Sequence, residues 1–252
     1  NTSQPHAACS SFYMNALRAI EGISYNNLDY KNCDIALFMT YDHEHIKNVK
    51  SAHPHLKVGI IDPRSYRVAP SVEYCDFIII DSIEMEDYWR SAKKPIFRYV
   101  EYPIIPYITK KHEDKDKIVI GYHGNTVHLD CMSESVTPAL SELGEKYNIQ
   151  LLAMYNGRPP IPGASRWCPE NVDIRHVPWS MSGYIDELAS VDIGIVPNNL
   201  IYTEASKRDV TTGGMFNYSD DDYLLRFKMP SNPGRFIIFG KLGIPVVADF
   251  YP

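Results

Sequence analysis

Asp34-Ile35-Ala36-Leu37-Phe38-Met39-Thr40 (DIALFMT), Leu56–Ile61 (LKVGII) and Asp76–Ile80 (DFIII) are short, rich in β-branched residues and nearly apolar throughout. A strand with one wet face alternates polar and apolar residues, whereas a strand covered on both faces need not. These three runs therefore predict buried strands of a parallel sheet. The polar stretch His43–Ala52 between the first two reads as a helix, Ile83–Ala92 after the third as another, and Pro95–Val100 (PIFRYV) can add a strand. Alternation of this kind is the pattern of an α/β layer structure.

Beyond this half lies a charged run, Lys110-Lys111-His112-Glu113-Asp114-Lys115-Asp116-Lys117, preceded by Pro103 and Pro106. It reads as a solvated interdomain linker. The alternation then restarts, with strands expected at Lys117–Tyr122 (KIVIGY), Ile149–Met154 (IQLLAM), Val172–Val177 (VDIRHV), Val191–Val196 (VDIGIV) and Ile244–Asp249 (IPVVAD). Val136, Leu140, Leu143 and Tyr147 fall on one helical face. Met181–Ser190 reads as a short helix and Pro233–Leu242 as a helix opened by proline. Residues 198–226, rich in Asp, Asn, Thr and Gly, read as an irregular surface loop. The expected fold is α/β: two Rossmann-like parallel-sheet domains, residues 1–112 and 113–252, facing a cleft. The chain reads as incomplete at both ends, starting without a first strand and stopping just after Asp249-Phe250-Tyr251-Pro252. Ligands of such sheets bind outside the carboxyl ends of the strands, so functional residues are expected where strands run into helix starts.

Composition excludes several classes. Of 252 residues, 44% are apolar and 22% charged, which is globular rather than disordered or fibrous. Twenty-five basic against 31 acidic side chains give a net charge of −6, against a globally basic nucleic-acid binder. No apolar run approaches the ~20 residues of a membrane helix, and Asn1–Ala8 lacks a signal-peptide pattern. A cytoplasmic protein is expected, with peripheral membrane association left open. Cys9, Cys33, Cys75, Cys131 and Cys168 are scattered with no C-x-x-C pair, and read as reduced thiols. The histidines of Asp42-His43-Glu44-His45, with His53 and His55, invite a metal. Residues two apart on a helix point in different directions, so exposed histidines are the expected reading, with no metal and no cofactor.

Three segments could meet a phosphorylated ligand. Gly121-Tyr122-His123-Gly124-Asn125-Thr126 leaves a strand for a helix; small residues permit close approach and a helix start favours an anion. An ordinary strand–turn–helix explains it equally well, and it is not a G-x-G-x-x-G fingerprint. Pro230-Ser231-Asn232-Pro233-Gly234-Arg235 joins a hydroxyl, an amide and a guanidinium at a helix start, with an ordinary cap and a surface arginine as the alternative. His176-Val177-Pro178-Trp179 places a large aromatic after a strand, as a wall for a flat base or as core.

In this order, from Lys117 to the chain end, the second half resembles the nucleotide-sugar-binding domain of GT-B glycosyltransferases of the family 1/4-like kind. The likeness is best in Ile185–Pro197 (IDELASVDIGIVP) and Asn232–Asp249 (NPGRFIIFGKLGIPVVAD), which is similar to the family's P-x-K, E-x-x-A, G-x-P-V-V-A pattern. The first half resembles the family's acceptor domain through its alternation and through Leu56–Pro63 (LKVGIIDP). The resemblance implies a donor site of Gly121, His123, Gly124 and Asn125, of Val177, Pro178 and Trp179, and of Ser231, Asn232, Gly234 and Arg235. Ile238 stands where many retaining members carry a ribose-holding Glu, and Arg235 where several carry Lys. Lys207 and Arg208 can supply further charge.

The implied activity is metal-independent transfer of a sugar from a nucleotide-diphosphate donor to an acceptor hydroxyl, in surface polysaccharide or glycoconjugate synthesis. The acceptor would be a sugar, a lipid-linked sugar or a protein. Arg235 and the helix start would stabilise the leaving diphosphate. Asp220-Asp221-Asp222 reads as solvated surface. An inverting mechanism needs a base, for which His6, Asp42 and His43 are candidates in first-half loops; Ser10, Ser11 and Tyr13 would contact the acceptor or cap a helix. Two other readings stand beside this one: a nucleotide-sugar epimerase on the same scaffold, and a non-catalytic nucleotide-sugar-binding module.

Overall fold

The computed structural model describes residues 17, 20–24, 27–39, 42–63, 69–81, 83–99, 103–161, 163–197 and 234–248. His6, Ser10, Ser11, Tyr13, Lys207, Arg208, Ser231, Asn232 and Asp220–Asp222 lie outside the described residues, as does the stretch 198–226. The described elements fall into two compact units, one up to Ile104 and one from Ile105. Each unit is a parallel sheet flanked by helices, so the α/β class read from the sequence holds in both.

The first unit runs β1 (Ile35–Phe38), α1 (His43–Ala52), β2 (Lys57–Ile61), α2 (Ala69–Tyr74), β3 (Phe77–Ile80), α3 (Ile83–Trp89) and β4 (Ile96–Arg98). Its strands lie side by side in chain order, all parallel. Alternate strand residues Ala36, Phe38, Val58, Ile60, Ile78 and Ile80 share one core with Ile46 and Val49 of α1, Val72 of α2, and Met85 and Trp89 of α3. All three helices thus cover the same face, as same-handed crossovers between successive strands require. On the opposite face Phe77 and Leu37 close over Gly59, where a Cβ would lie 2.4 Å from Phe77 Cε2 and 2.8 Å from Leu37 Cδ2. The sequence reading had no helix between β2 and β3: α2 is only six residues long and carries Pro70 in its first turn, which hides its period. The helix expected at Ile83–Ala92 ends at Trp89, continues as a 3-10 turn over Arg90–Ala92, and stops at Lys93 in the left-handed region (φ 54°).

The second unit runs β5 (Ile118–His123), α4 (Thr126–Asp130), α5 (Val136–Gly144), β6 (Ile149–Met154), β7 (Asp173–Val177), α6 (Tyr184–Ala189), β8 (Ile193–Val196), α7 (Gly234–Lys241) and β9 (Val246–Ala248). The strand order is β7-β6-β5-β8-β9, all parallel. One face packs Ile120, Tyr122, Leu151, Ala153 and Ile195 against Leu129, Met132, Leu140 and Trp167. On the other, side chains crowd two glycines: a Cβ at Gly121 would lie 2.5 Å from Val191 Cγ2, and one at Gly194 2.6 Å from the Phe239 ring. The charged run read as a linker is docked on this unit. Ile108 N–H donates to Lys241 O at 2.7 Å, Lys110 Nζ donates to the carbonyls of Ala189 and Val191, and His112 Nε2 meets Gly243 O at 2.9 Å.

One device fastens the amino end of both sheets. Asp76, just before β3, accepts the Val58 N–H of β2 at 2.7 Å and Lys50 Nζ at 2.6 Å. Asp192, just before β8, accepts the Val119 N–H of β5 at 2.9 Å and Lys115 Nζ at 2.8 Å. Burial pushes both carboxyls up, but the hydrogen bonds from the lysine and the strand amide outweigh it and leave each below the usual carboxylate range. A depressed folded-state value adds stability above the ordinary carboxylate pKa of about 4, and that stability is lost as pH falls through the folded value. Asp76→Asn and Asp192→Asn should each lower unfolding free energy by ~1–3 kcal/mol near neutral pH. In urea denaturation followed against pH, the gap to the parent protein should close in acid.

Candidate functional site

In the second sheet the strand order reverses at β5, which pairs with β6 on one side and β8 on the other. Outside the carboxyl ends of β5 and β8 is the place where open parallel sheets leave room for ligands. Arg235, the second residue of α7, is held there with only 8% of its surface exposed, and its Nη1 donates to Pro197 O, just past β8, at 3.4 Å. Gly124, just past β5, lies under the same side chain. A Cβ at Gly124 would sit 3.3 Å from both Cδ and Nη1 of Arg235 and 2.9 Å from Tyr122 Oη, and its φ of +149° disfavours a side chain. The guanidinium arm therefore spans the ends of the two strands between which the order turns.

The turn below it is ordered by its own hydrogen bonds. Gly124 N–H donates to Met154 O at 3.1 Å, continuing the β5–β6 ladder, and Tyr122 Oη donates to Asn125 O. Asn125 is exposed, and Gly234 is buried at the start of α7. Gly121 lies lower in the strand, and the room left by its missing side chain is taken by Val191. The structure thus gathers His123, Gly124, Asn125, Gly234 and Arg235 at one point and gives Gly121 a packing role.

Two histidines flank the arginine. His123 ends β5 on the face of the sheet that α7 covers; it is 5% exposed, and its ring meets Phe239 edge-on at 5.1 Å. Burial, then the neighbouring Arg235 charge, pulls its pKa down to about 3. His128, in α4, is half-buried with its Nδ1 out of reach of solvent, and the same two causes hold it well below the usual imidazole range. Both rings are neutral at physiological pH, so neither adds positive charge beside Arg235. His128 was not a predicted site residue. The available signal was its place in the first turn after Asn125, which puts it on the same short helix start.

Val177 closes β7, two strands from β5 on the same carboxyl edge. Trp179 stacks on Tyr184 at 5.8 Å with a 29° interplanar angle, and remains partly exposed, while Pro178 is exposed. His176 packs at 4.3 Å on the Tyr155 ring and meets its carbonyl at 3.2 Å. An aromatic surface thus stands on the edge, with β6 between it and the arginine.

In the first unit, Asp42 is the N-cap of α1 and accepts the His45 N–H at 3.0 Å, a structural duty for a predicted base. His43, half-exposed, lies 3.5 Å from Glu44. His45 Nε2 lies 3.3 Å from Tyr30 Oη. Sequence reasoning missed two buried acids on the carboxyl edge of this sheet: Asp62, directly after β2 and at φ 52°, and Asp81, directly after β3. The signal was present in the sequence as an acid closing each apolar run, LKVGII-D and DFIII-D. Among the described residues no group of three or more His, Cys, Asp or Glu is placed to hold a metal ion, and no helix is long and apolar enough to cross a membrane.

A histidine kept neutral in the folded state but free to charge when unfolded makes stability fall as pH drops below the unfolded value of about 6.5. For His123 this loss runs from there towards about 3, and His128 acts in the same direction. Each contributes up to ~1.4 kcal/mol per pH unit. Urea midpoints measured between pH 6.5 and 5 should therefore slope downward, and His123→Phe should flatten the slope by about one proton.

No family model matches the chain, and no curated protein matches it. Among solved structures it is similar to a glycosylation-associated protein (Gap123) complex from Streptococcus agalactiae, at 12% identity and a TM-score of 0.43, covering 90% of this chain and 56% of that one. The chain thus spans a little over half the length of that protein. It is also similar to CobK precorrin-6A reductase, at 12% identity and a TM-score of 0.34, covering 86% of this chain and 88% of that one. Neither likeness reaches the degree of superposition at which shared chemistry follows.

Proposed function

We propose that the second unit binds a nucleoside-diphosphate sugar at the carboxyl edge of its sheet, and that the chain is a GT-B-type glycosyltransferase moving that sugar to an acceptor hydroxyl. The observation that carries this reading is Arg235, a buried guanidinium at the first turn of α7 that crosses Gly124 at the reversal of strand order. Nη1 of that guanidinium donates to Pro197 O, and a guanidinium fork matches phosphate oxygens. The start of the eight-residue α7 adds backbone N–H dipoles of the same sign. As the glycosidic bond breaks, negative charge grows on the leaving diphosphate; a fixed cation and fixed dipoles stabilise it without reorganising. Trp179 on Tyr184 offers a flat surface for the base further along the edge. No metal or cofactor enters this mechanism.

On the acceptor side, Asp62 and Asp81 join His43 as candidates for the base that takes the hydroxyl proton. Asp42 is less suited, being engaged as a helix cap.

A thermal-shift panel of nucleoside diphosphates and their sugars tests donor binding, since a ligand at 100 times its Kd adds ~2.7 kcal/mol of stability. A selective shift is expected, and a flat panel would remove the reading. Loss of the Arg235 contact to the diphosphate should cost ~2–5 kcal/mol, or tens to thousands in rate at ~1.4 kcal/mol per decade. Arg235→Lys, which keeps the charge, should lose less than Arg235→Ala. Turnover of donor without acceptor would point instead to an epimerase.

A further inference from the structure

β7 is the outer strand of the second sheet, next to β6 alone. In a parallel pair the N–H and C=O of one residue point to the same side, and alternate residues turn to opposite sides. Tyr155 N–H donates to Val177 O at 3.1 Å, in the register that sets Met154 beside Val177. Asp173, Arg175 and Val177 therefore bond to β6, and Ile174 and His176 turn their main chain away from it. Among the described residues, the N–H and C=O of Ile174 and His176 meet no hydrogen-bond partner on that outer side.

A cavity of about 710 Å³ shares its lining between these two residues and Pro159, Pro160 and Pro169 of the loop that leads into β7. The loop is pinned to α5: Thr137 Oγ1 donates to Trp167 O at 3.1 Å, and Glu170 N–H donates to Ser141 Oγ at 2.8 Å. Its prolines have no N–H to give to the strand's carbonyls. The volume falls in the range of ligand grooves, ~300–1,000 Å³, and far exceeds what an ion needs. Donors and acceptors repeated at every second residue match another extended backbone, which supplies the same groups at the same spacing. Side chains decide what that backbone should carry. Ile174 packs on the core that includes Trp167, and His176 on Tyr155, so both turn to the face that bears the loop; Arg175 turns to the other and pairs with Glu187. A strand laid along β7 thus sets alternate side chains against the prolines. We propose that the outer edge of β7 is a docking site for an extended segment of a partner polypeptide, which adds to the sheet as a further strand and rests apolar side chains, every second residue, on the proline wall. A second copy of this chain joined edge to edge would bring its own loop to the same groove, which suits a lone strand. The proposal is independent of the donor reading, since two strand positions separate β7 from β5 and the Arg235 arm.

The test selects binders to the full chain from phage-displayed random peptides of about ten residues, long enough to pair along β7. Synthetic copies of the selected peptides are then measured by calorimetry against the parent protein, His176→Ala and His176→Pro. Proline at this position removes an outward N–H and no ladder bond, as edge strands tolerate, whereas alanine removes the imidazole and keeps the N–H. His176→Pro should bind about tenfold or more weakly than His176→Ala. The selected sequences should carry apolar residues at alternate positions, and the bound peptide should slow amide exchange at Ile174 and His176. No binder, equal affinity of the two variants, or slowed exchange elsewhere with these two amides unchanged would overturn the proposal.

Methylating the backbone nitrogens of the peptide, one residue at a time, gives a second readout that needs no variant of the protein to fold. Affinity for the parent chain should fall at every second residue and hold at the residues between, because alternate N–H groups face β7. A flat series would overturn the proposal. Sedimentation of the parent chain alone supplies the remaining arm: a concentration-dependent dimer whose formation slows the Ile174 and His176 amides would assign the edge to a second copy and overturn the partner reading.

Discussion

A guanidinium removed from water must be matched by acceptors, and at the carboxyl edge of the second sheet Arg235 meets this demand in part through Pro197 O. Arg235 lies close over Gly124, where a Cβ would crowd it at 3.3 Å, and the sheet reverses its order between β5 and β8, leaving the ends of both strands open to α7. The packing beneath follows from the same approach. Phe239, one turn along α7, lies against Gly194 and edge-on to His123, so the helix that carries the cation is seated by the strands it crosses. Change the size of any of these three residues and the arm moves with the helix.

The two units solve different covering problems with the same strand chemistry. In the first, strands in chain order put α1, α2 and α3 on one face, and edge residues such as Ile35 and Phe97 stay more than half exposed. In the second, the reversal distributes helices to both faces, and glycines at 121 and 194 let side chains from the second face come close. The apolar runs of both halves look alike in sequence, because each strand responds to its local burial and not to the order of its neighbours.

That difference marks the limit of what could be read beforehand. Strand positions were legible because six-residue apolar runs such as KIVIGY and IQLLAM have no other comfortable place in a small α/β layer. α2 was not, since six residues with an early proline carry no period. Arg235 and Gly124 stood out by residue type, but their contact joins residues more than a hundred positions apart, and only the strand order creates it. His123 stood out by its place at the end of a strand and was illegible as a neutral histidine, because its protonation is set by burial and then by the charge of Arg235. Gly121 looked like part of a ligand turn, and the side chain that fills its space, Val191, comes from a distant loop. Asp42 looked like a base and caps a helix, the commoner use of an acid directly before an amphipathic stretch.

The aspartate clasps at Asp76 and Asp192 tie neighbouring strands together at the end of each sheet remote from Arg235, Asp62 and Asp81. Register is thereby secured where no ligand is expected. The loops at the far rim are relieved of holding the strands in alignment, so they can be lengthened, recharged or exchanged with little risk to the scaffold. A lineage carrying such anchored sheets could diversify what it recognises while its framework stays the same.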